Sequence, residues 1–302
     1  MSNLILGLCA NYTTDQLAPF VKSLRSTEFR GEVAFFIDRL SDTTIQFLHT
    51  HDCRTIPFRQ FRHFRGAQSV RRVLARVFRA FWSHSPPPER VRRLVTQFWN
   101  CMAARFFVYE SYLRQMDGRF EKVMLTDVRD VVFQRDPFEF SMAGRLCAFQ
   151  ESLPRIGDDY FNSQWIKDAF GRKVYERLCD CPVYCAGVTI GSASGVGDYL
   201  HTMTRYLLSR VGLAGYDQGV HNYLIHTGRM EDVVCYRNWM GPVLTLGAVA
   251  TSDIRMSADG ILRNLDGEIA NVIHQYDRQP TIAPHVLKRI DCAWQGDAAC
   301  PP

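Results

Sequence analysis

Near the N-terminus, short apolar runs alternate with amphipathic segments, and this alternation constrains the fold more than any other feature. The apolar runs are "LILGLCANY", "GEVAFFID" and "CRTIPF", and the first two end in polar residues. The stretches between them, "TTDQLAPFVKSLRST" and "TTIQFLHTHD", are typical of helices. A strand–helix–strand–helix–strand order predicts an α/β fold with a mostly parallel sheet flanked by helices.

Later apolar runs extend the same pattern. Strands are predicted at 122–127, 145–151 and 187–192. A long helix is predicted at 89–115, and the stretches "SGVGDYLHTMTRYLLSRV" and "YDQGVHNYLIHTG" are also predicted to be helical at least in part. The chain therefore continues as an α/β protein after its first three strands.

The domain organisation is predicted to be simple. No stretch has the composition of a linker, which favours one domain over residues 1–285. Residues 59–115 are expected to form a helical, arginine-rich insertion in that domain. Residues 286–302 are expected to be an irregular C-terminal tail.

Composition bounds the cellular setting. The ten cysteines are scattered through 302 residues, which favours reduced thiols over a disulfide framework. Cys179, Cys181 and Cys185 lack the paired C-x2-C spacing of structural zinc sites, so thiols are the favoured interpretation. We find no signal peptide and no membrane-spanning run, and we expect a cytoplasmic protein, with peripheral association at the inner face of the membrane as an option.

Acidic residues stand where the predicted strands end. Open α/β sheets bind ligands at the carboxyl ends of their strands, and Asp127 and Asp130 in "VMLTDVRD" lie at such an end. A carboxylate pair suits Mg²⁺ or Mn²⁺. The alternative is a structural ion pair with Arg129 or Arg135, or a capped turn. Neither a GxGxxG turn nor a GxxxxGK[ST] loop is present, which disfavours those two kinds of nucleotide site.

Four segments, taken in order, resemble the nucleotide-sugar-dependent glycosyltransferases of the GT-A fold. The resemblance is greatest to the retaining transferases that include glycogenin and the lipopolysaccharide galactosyltransferases. The segments span roughly residues 4 to 280, and they are "LGLCANYTTDQLAPFVKSLRST", "FEKVMLTDVRDVVFQRDPF", "YCAGVTIGS" with "GYDQGVHNYL", and "NVIHQYDRQP".

The resemblance implies a metal site. Asp127, Asp130 and His274 would hold Mn²⁺ or Mg²⁺ against the diphosphate of a nucleotide sugar, a UDP-sugar in preference to a GDP-sugar. Two residues separate the acids where the family usually has one. Arg129 could therefore take the place of the second acid and neutralise the diphosphate itself. Arg278 could replace a phosphate-holding lysine of the family.

The resemblance also places the donor at the first strand. It makes Ala10, Asn11 and Tyr12 nucleotide contacts. Tyr12 could stack on the base and Asp38 could accept its imide proton, although both are equally plausible as ordinary strand-end residues.

Further residues of the site come from helices. In the resembling family a basic residue at the position of Arg105 reaches the donor, whereas the alternative is a surface charge. Asp217 and Gln218 would lie near the reacting sugar. Asp217 would be the base of an inverting reaction, or either residue would steady the positively charged sugar of a retaining one. Asp217 could equally be a helix N-cap, and Glu151 could touch the donor sugar or lie at the surface.

Arginines and aromatic residues concentrate at 59–93, where the only acid is Glu89. The favoured interpretation is an amphipathic helix packed on the sheet. An interfacial helix on anionic lipid comes second, and a nucleic-acid surface is the least favoured, so nucleic acid is not an expected partner. The expected acceptor is a glycan or a lipid-linked sugar, as in surface polysaccharide biosynthesis.

Three alternatives remain beside a glycosyltransferase. A nucleotidyltransferase would carry a glycine-rich loop with a lysine after the first strand, which "CANYTTDQ" lacks. A non-catalytic glycan- or nucleotide-binding protein on the same fold would show no metal dependence. A peripheral membrane module would bind through residues 59–93 in a salt-sensitive way.

Overall fold

The computed structural model describes residues 2–58, 88–97, 99–152, 155–208, 216–257 and 260–295, together with residues 73, 76, 77 and 81. The strands in these ranges are β1 (Ser2–Ala10), β2 (Glu32–Asp38), β3 (Cys53–Pro57), β4 (Phe120–Thr126), β5 (Val131–Phe133), β6 (Leu146–Gln150), β7 (Tyr184–Ser192), β8 (Val233–Tyr236), β9 (Val243–Thr245) and β10 (Val272–His274). The α-helices are α1 (Thr14–Ser26), α2 (Asp42–Thr50), α3 (Glu89–Thr96), α4 (Cys101–Gln115), α5 (Tyr160–Phe170), α6 (Arg172–Leu178), α7 (Ala193–Leu208), α8 (Tyr216–His226) and α9 (Ala283–Gln295).

Seven of these strands form the central sheet, in the order β3-β2-β1-β4-β7-β6-β8. Strands β3, β2, β1 and β4 run parallel to one another. Strand β7 runs antiparallel to both of its neighbours, β4 and β6, and β8 is parallel to β6. The prediction of an α/β fold with a mostly parallel sheet is confirmed.

Helices cover both faces of this sheet, which explains why β1 is an unbroken apolar run. On one face α1 packs against the sheet, and the rings of Phe20 and Phe35 lie 5.5 Å apart edge to face. On the other face α4 does the same, with the rings of Phe36 and Tyr109 5.5 Å apart. Neighbouring residues of one strand therefore enter opposite cores.

A second, three-stranded sheet lies beside the end of β4, in the order β5-β10-β9. Strand β10 is antiparallel to β5 and parallel to β9. In this register His274 lies opposite Val131, the residue that follows Asp130. The small sheet thereby brings a histidine from late in the chain to the acids at the end of β4.

Two sequence predictions about helices are wrong. The helix predicted at 89–115 is two helices, because Asn100 caps α4 by accepting a hydrogen bond from the Met102 N–H at 3.1 Å. The tail predicted to be irregular from residue 286 begins inside helix α9, which continues to Gln295. Its apolar side chains Val286 and Ile290 are buried against the small sheet.

The arginine-rich stretch lies mostly outside the described residues. The described residues 73, 76, 77 and 81 are helical. The rest of the prediction for 59–87, including contact with a membrane, is not placed by the structure. Within the described parts of the chain, no helix has the length and apolar character needed to cross a membrane.

Candidate functional site

Three potential metal ligands converge where β4 ends. Asp127 and Asp130 follow β4, and His274 ends β10. One side-chain atom from each lies within 4.8 Å of the others. The Nε2 atom of His274 is 3.6 Å from an Asp127 oxygen and 3.9 Å from an Asp130 oxygen. The imidazole of His274 is fully buried.

These residues fit a divalent cation. The buried Nε2 atom of His274 has no hydrogen-bond partner among the described residues, although it faces both carboxylates. A buried polar nitrogen without a partner is costly, and a metal ligand bond would satisfy it. Two carboxylates and one imidazole suit Mn²⁺, and Mg²⁺ accepts the oxygens.

A glycine keeps the space around this group open. A Cβ atom at Gly187, on β7, would lie 2.5 Å from Cε1 of His274 and 2.7 Å from Oδ2 of Asp127. Both distances are far inside van der Waals contact. The close approach of β7 to the acids therefore requires a residue without a side chain, and the Asp127 N–H donates to the Gly187 carbonyl at 2.7 Å.

On its other side the imidazole of His274 contacts a cysteine. The Cys185 Sγ lies 3.6 Å from Nδ1 of His274. If Nδ1 carries the proton, it donates to sulfur and leaves the Nε2 lone pair directed at the acids. This is the tautomer that a metal ligand requires.

Arg105 connects helix α8 to the three candidate ligands Asp127, Asp130 and His274, which are called the metal group below. Its guanidinium donates to Asp127, to Asp217 at 3.1 Å and to the Ala186 carbonyl at 3.3 Å. Arg105 is 5% exposed, so the alternative of a surface charge is wrong. Burial lowers its pKa, but the two carboxylates outweigh burial and raise the pKa above its ordinary value.

The acids of the site differ in their ionisation. Burial raises the pKa of Asp127, but Arg105 and His274 outweigh it and hold the pKa well below its ordinary value. Burial raises the pKa of Asp130, with Asp127 adding to the effect. For His274 burial lowers the pKa, yet the two acids reverse this and raise it. The group therefore tends to hold a proton that a cation would displace.

Helix α8 is tied to β7 by its polar side chains. The Gln218 amide accepts from the Ala186 N–H at 2.8 Å and donates to Glu151 at 2.9 Å. Asn222 is paired with both backbone groups of Tyr184, each at 2.8 Å. These bonds hold the first two turns of α8 against β7, the strand that carries Gly187.

An open cleft of about 430 Å³ lies in front of these groups. Five residues singled out from the sequence line it: Arg105, Asp127, Asp217, Gln218 and Arg278. Glu151 also lines the cleft. The sequence had left open whether Glu151 contacts the donor sugar or lies at the surface.

The other predicted donor residues lie at the ends of β1 and β2. Ala10 pairs with Asp38, and the Asn11 N–H donates to the Asp38 carbonyl at 2.9 Å. The Asp38 carboxylate pairs with Arg39 at 3.2 Å. Burial, followed by the charge of Asp127, raises the pKa of Tyr12 to about 12.

The structure separates the two candidates for the second acid. Asp130 faces His274, whereas Arg129 is half-exposed and pairs with Asp277 at 3.2 Å. Asp130 is therefore the residue placed to bind a metal, and Arg129 stands outside the group of three.

Sequence reasoning missed several residues that line the cleft. They are Met102, Asp159, Phe161, Asn162, Trp165, Gly247, Ala248 and Gln275. The only sequence signal for them is an aromatic pair at i, i+4 in "YFNSQW". That spacing places both rings on one face of a helix but does not show that this face opens into a cleft.

The mostly parallel seven-stranded sheet, with an acidic pair beyond the end of its central strand, is that of the GT-A fold, as the following similarity shows. An active-site mutant of the galactosyltransferase LgtC is similar to this protein, with a TM-score of 0.50 and 13% identity, over 99% of this chain and 97% of that one. LgtC in complex with donor and acceptor sugar analogs has a TM-score of 0.48 and 14% identity, over 99% and 97% of the two chains. No protein-family model and no curated protein matches the chain.

Proposed function

We propose that this protein is a glycosyltransferase that moves a sugar from a nucleotide-diphosphate sugar to a glycan or lipid-linked acceptor. The preferred candidate donor is a UDP-sugar. The observation that carries the proposal is the group of Asp127, Asp130 and His274. The Nε2 of His274 is directed at both acids and has no hydrogen-bond partner in the part of the chain that the structure describes. The fold, shared with a galactosyltransferase, supports a transferase.

Transfer breaks the bond between the anomeric carbon of the donor sugar and a diphosphate oxygen and forms a bond from that carbon to the oxygen of an acceptor hydroxyl. Negative charge accumulates on the leaving diphosphate, which takes up the proton of that hydroxyl. Asp127, Asp130 and His274 would hold the cation, which supplies Lewis-acid stabilisation of that charge when bound. Arg278, in the wall of the cleft, presents a guanidinium to the phosphate oxygens.

We further propose a retaining course of reaction, in which Asp217 is not a base. Its carboxylate is already bonded to Arg105 at 3.1 Å, deep in the wall of the cleft. In that position it holds the Arg105 guanidinium against Asp127. Gln218, anchored to β7 and Glu151, lines the cleft, and we propose that it would steady the positively charged sugar.

Calorimetric titration of UDP, GDP, CMP and ADP, each with and without Mn²⁺, tests the proposal. One nucleotide, expected to be UDP, should bind more tightly with Mn²⁺. Asp130→Asn should lose that gain. Asp136→Asn is the matched control, because Asp136 lies in the same segment but caps the Phe138 N–H at 2.8 Å.

Two results would contradict the proposal. If no nucleotide binds the wild-type protein, the transferase assignment fails. If one binds equally well with and without Mn²⁺, the metal-assisted mechanism fails, and the diphosphate must be neutralised by arginines alone.

A further inference from the structure

Two aromatic side chains open into the cleft from helix α5. Phe161 is 61% exposed, and its ring lies 5.9 Å from the half-buried ring of Trp165, with an angle of 32° between the planes. Both residues line the cleft that contains Asp127 and Gln218. Large exposed aromatic rings are unfavourable in water, and their concentration at a cleft indicates a ligand contact.

Helix α5, which carries the aromatic pair, packs directly against helix α8, which carries Asp217 and Gln218. A Cβ atom at Gly219 would lie 3.1 Å from Cβ of Trp165 and 3.2 Å from its carbonyl oxygen. Helices α5 and α8 therefore touch at a glycine, one residue beyond Gln218. The backbone and Cβ of Trp165 are consequently fixed relative to the first turn of α8, which carries Gln218.

The helix that carries the pair is itself well anchored. Asp159 caps it by accepting a hydrogen bond from the Asn162 N–H at 2.6 Å, and the Ser163 hydroxyl donates to the Ile156 carbonyl at 3.0 Å. Its inner side chain, Ile166, is buried in a small apolar cluster. The aromatic face is thus presented by a fixed element and does not need a loop to order it.

Polar groups border the aromatic pair. Glu151, Gln218 and Asp159 line the same cleft, and the Glu151 carboxylate accepts a hydrogen bond from the Gln218 amide at 2.9 Å. A pyranose ring has one face made of C–H bonds and a rim of hydroxyl groups. Aromatic rings contact the C–H face, and carboxylate and amide oxygens accept from the hydroxyls. This pairing of surfaces is more typical of a sugar site than of a lipid chain site.

We infer that Phe161 and Trp165 form the platform on which the sugar ring of the acceptor stacks, with Glu151 accepting from one of its hydroxyls. The acceptor is then a pyranoside whose terminal ring is recognised in the cleft. This inference rests on the proposed function, because it needs a donor on the opposite side of Asp127.

The test uses a defined set of probes: methyl glycosides of galactose, glucose, mannose and N-acetylglucosamine, with lactose and maltose. Each is titrated into the full chain with UDP and Mn²⁺ present, and saturation-transfer NMR identifies the sugar protons that touch the protein. At least one probe should bind through ring C–H protons. Phe161→Ala and Trp165→Ala should weaken it about tenfold, the size expected for one lost aromatic contact.

Three variants control for folding and for aromatic character. Tyr160→Ala removes a 71% exposed aromatic ring that does not line the cleft but lies 5.5 Å from the Phe161 ring, edge to face, so binding should weaken much less than in Phe161→Ala. Trp165→Phe should largely restore it. UDP binding with Mn²⁺ should be unchanged in Phe161→Ala, which shows that the donor side is intact.

The outcomes separate this inference from the proposed function. If UDP binds with Mn²⁺ but no probe binds, or if Phe161→Ala and Trp165→Ala bind as the wild type does, the platform is refuted and the transferase proposal stands. If UDP does not bind, the proposed function fails and the acceptor platform fails with it.

Discussion

At the scale of single residues, Arg105 shows how a buried charge links two parts of the site. Its guanidinium lies between Asp127 and Asp217 and is almost without solvent contact. Removing one partner from a buried charged group leaves the others without compensation. We therefore expect Arg105 both to stabilise the fold and to position Asp127 in the candidate metal site.

Replacing this arginine tests that double role. Arg105→Met should lower the free energy of unfolding by about 3–5 kcal/mol, because the buried Asp217 loses its cationic partner and the partly exposed Asp127 loses one as well. Urea denaturation measures the change. Arg172→Met is the control, since Arg172 is 87% exposed in a surface pair with Glu176 and should cost less than about 1 kcal/mol. Equal losses in the two variants would contradict the assignment.

His221 should make stability depend on pH. It is fully buried, bonded to the Tyr199 hydroxyl at 2.8 Å, and burial lowers its pKa from 6.5 to about 3. Between these values the unfolded chain binds a proton that the folded chain does not. Stability is therefore kept above pH 6.5 and falls as the pH decreases toward 3, by about 2 kcal/mol between pH 7 and pH 5.

The matched variant is His221→Asn, which has no titrating group at this position. Denaturation curves at pH 7 and pH 5 should show a smaller loss for the variant than for the wild type, by about 2 kcal/mol. The difference between the two proteins removes the contribution of the carboxylates, which titrate in both. The same loss in both would mean that His221 is not held neutral.

At the scale of elements, the site depends on the close approach of strand β7 to strand β10. Gly187 permits that approach, because any Cβ atom there would overlap His274 and Asp127. Local sequence does show a small-residue stretch in "YCAGVTIGS". It does not show which strand lies against it.

A methyl group at position 187 should obstruct the space between Asp127 and His274. Gly187→Ala should lower stability by about 1–3 kcal/mol through overpacking and weaken Mn²⁺ binding by more than about tenfold. The measurements are denaturation and Mn²⁺ titration by electron paramagnetic resonance. Gly197→Ala is the control, because its Cβ would meet nothing closer than 4.0 Å in helix α7, where alanine should be neutral or stabilising. Full Mn²⁺ affinity in Gly187→Ala would contradict the placement of the site.

At the scale of the whole molecule, the C-terminal helix α9 supports the sheet that carries His274. Val286 and Ile290 pack in one apolar cluster with Val132 and Ile273 of that sheet. Asp291 of α9 pairs with Lys22 of α1 at 2.8 Å, so the ion pair connects α9 to a helix that packs on the central sheet. Helix α9 thus packs against the small sheet that contains β10 and His274.

Truncation after Ile282 should therefore affect both folding and metal binding. Exposing the partners of Val286 and Ile290 should cost at least about 3–5 kcal/mol, and Mn²⁺ affinity should fall with the loss of support for His274. Truncation after Gln295 keeps the helix complete and is the control. If the shorter chain binds Mn²⁺ as tightly as the control, the small sheet does not need this helix.

The residues alone predicted much of the framework. Strand and helix periodicity are local, so the order of the first five elements and the acids after β4 follow from the pattern of apolar side chains. The resemblance to known transferases added His274, Arg105 and the Asp217–Gln218 segment. Local signals failed where a helix cap at Asn100 divides a helical pattern, and where α9 begins in a stretch read as irregular.

The sequence by itself determined the α/β class and the placing of acids at a strand end, because both depend on neighbours along the chain. Only the tertiary structure decided that Asp130, and not Arg129, faces His274, that Arg105 is buried between two acids, and that Phe161 and Trp165 open into the cleft. These are outcomes of strand register and helix packing between segments far apart in sequence, where burial decides which side chains meet.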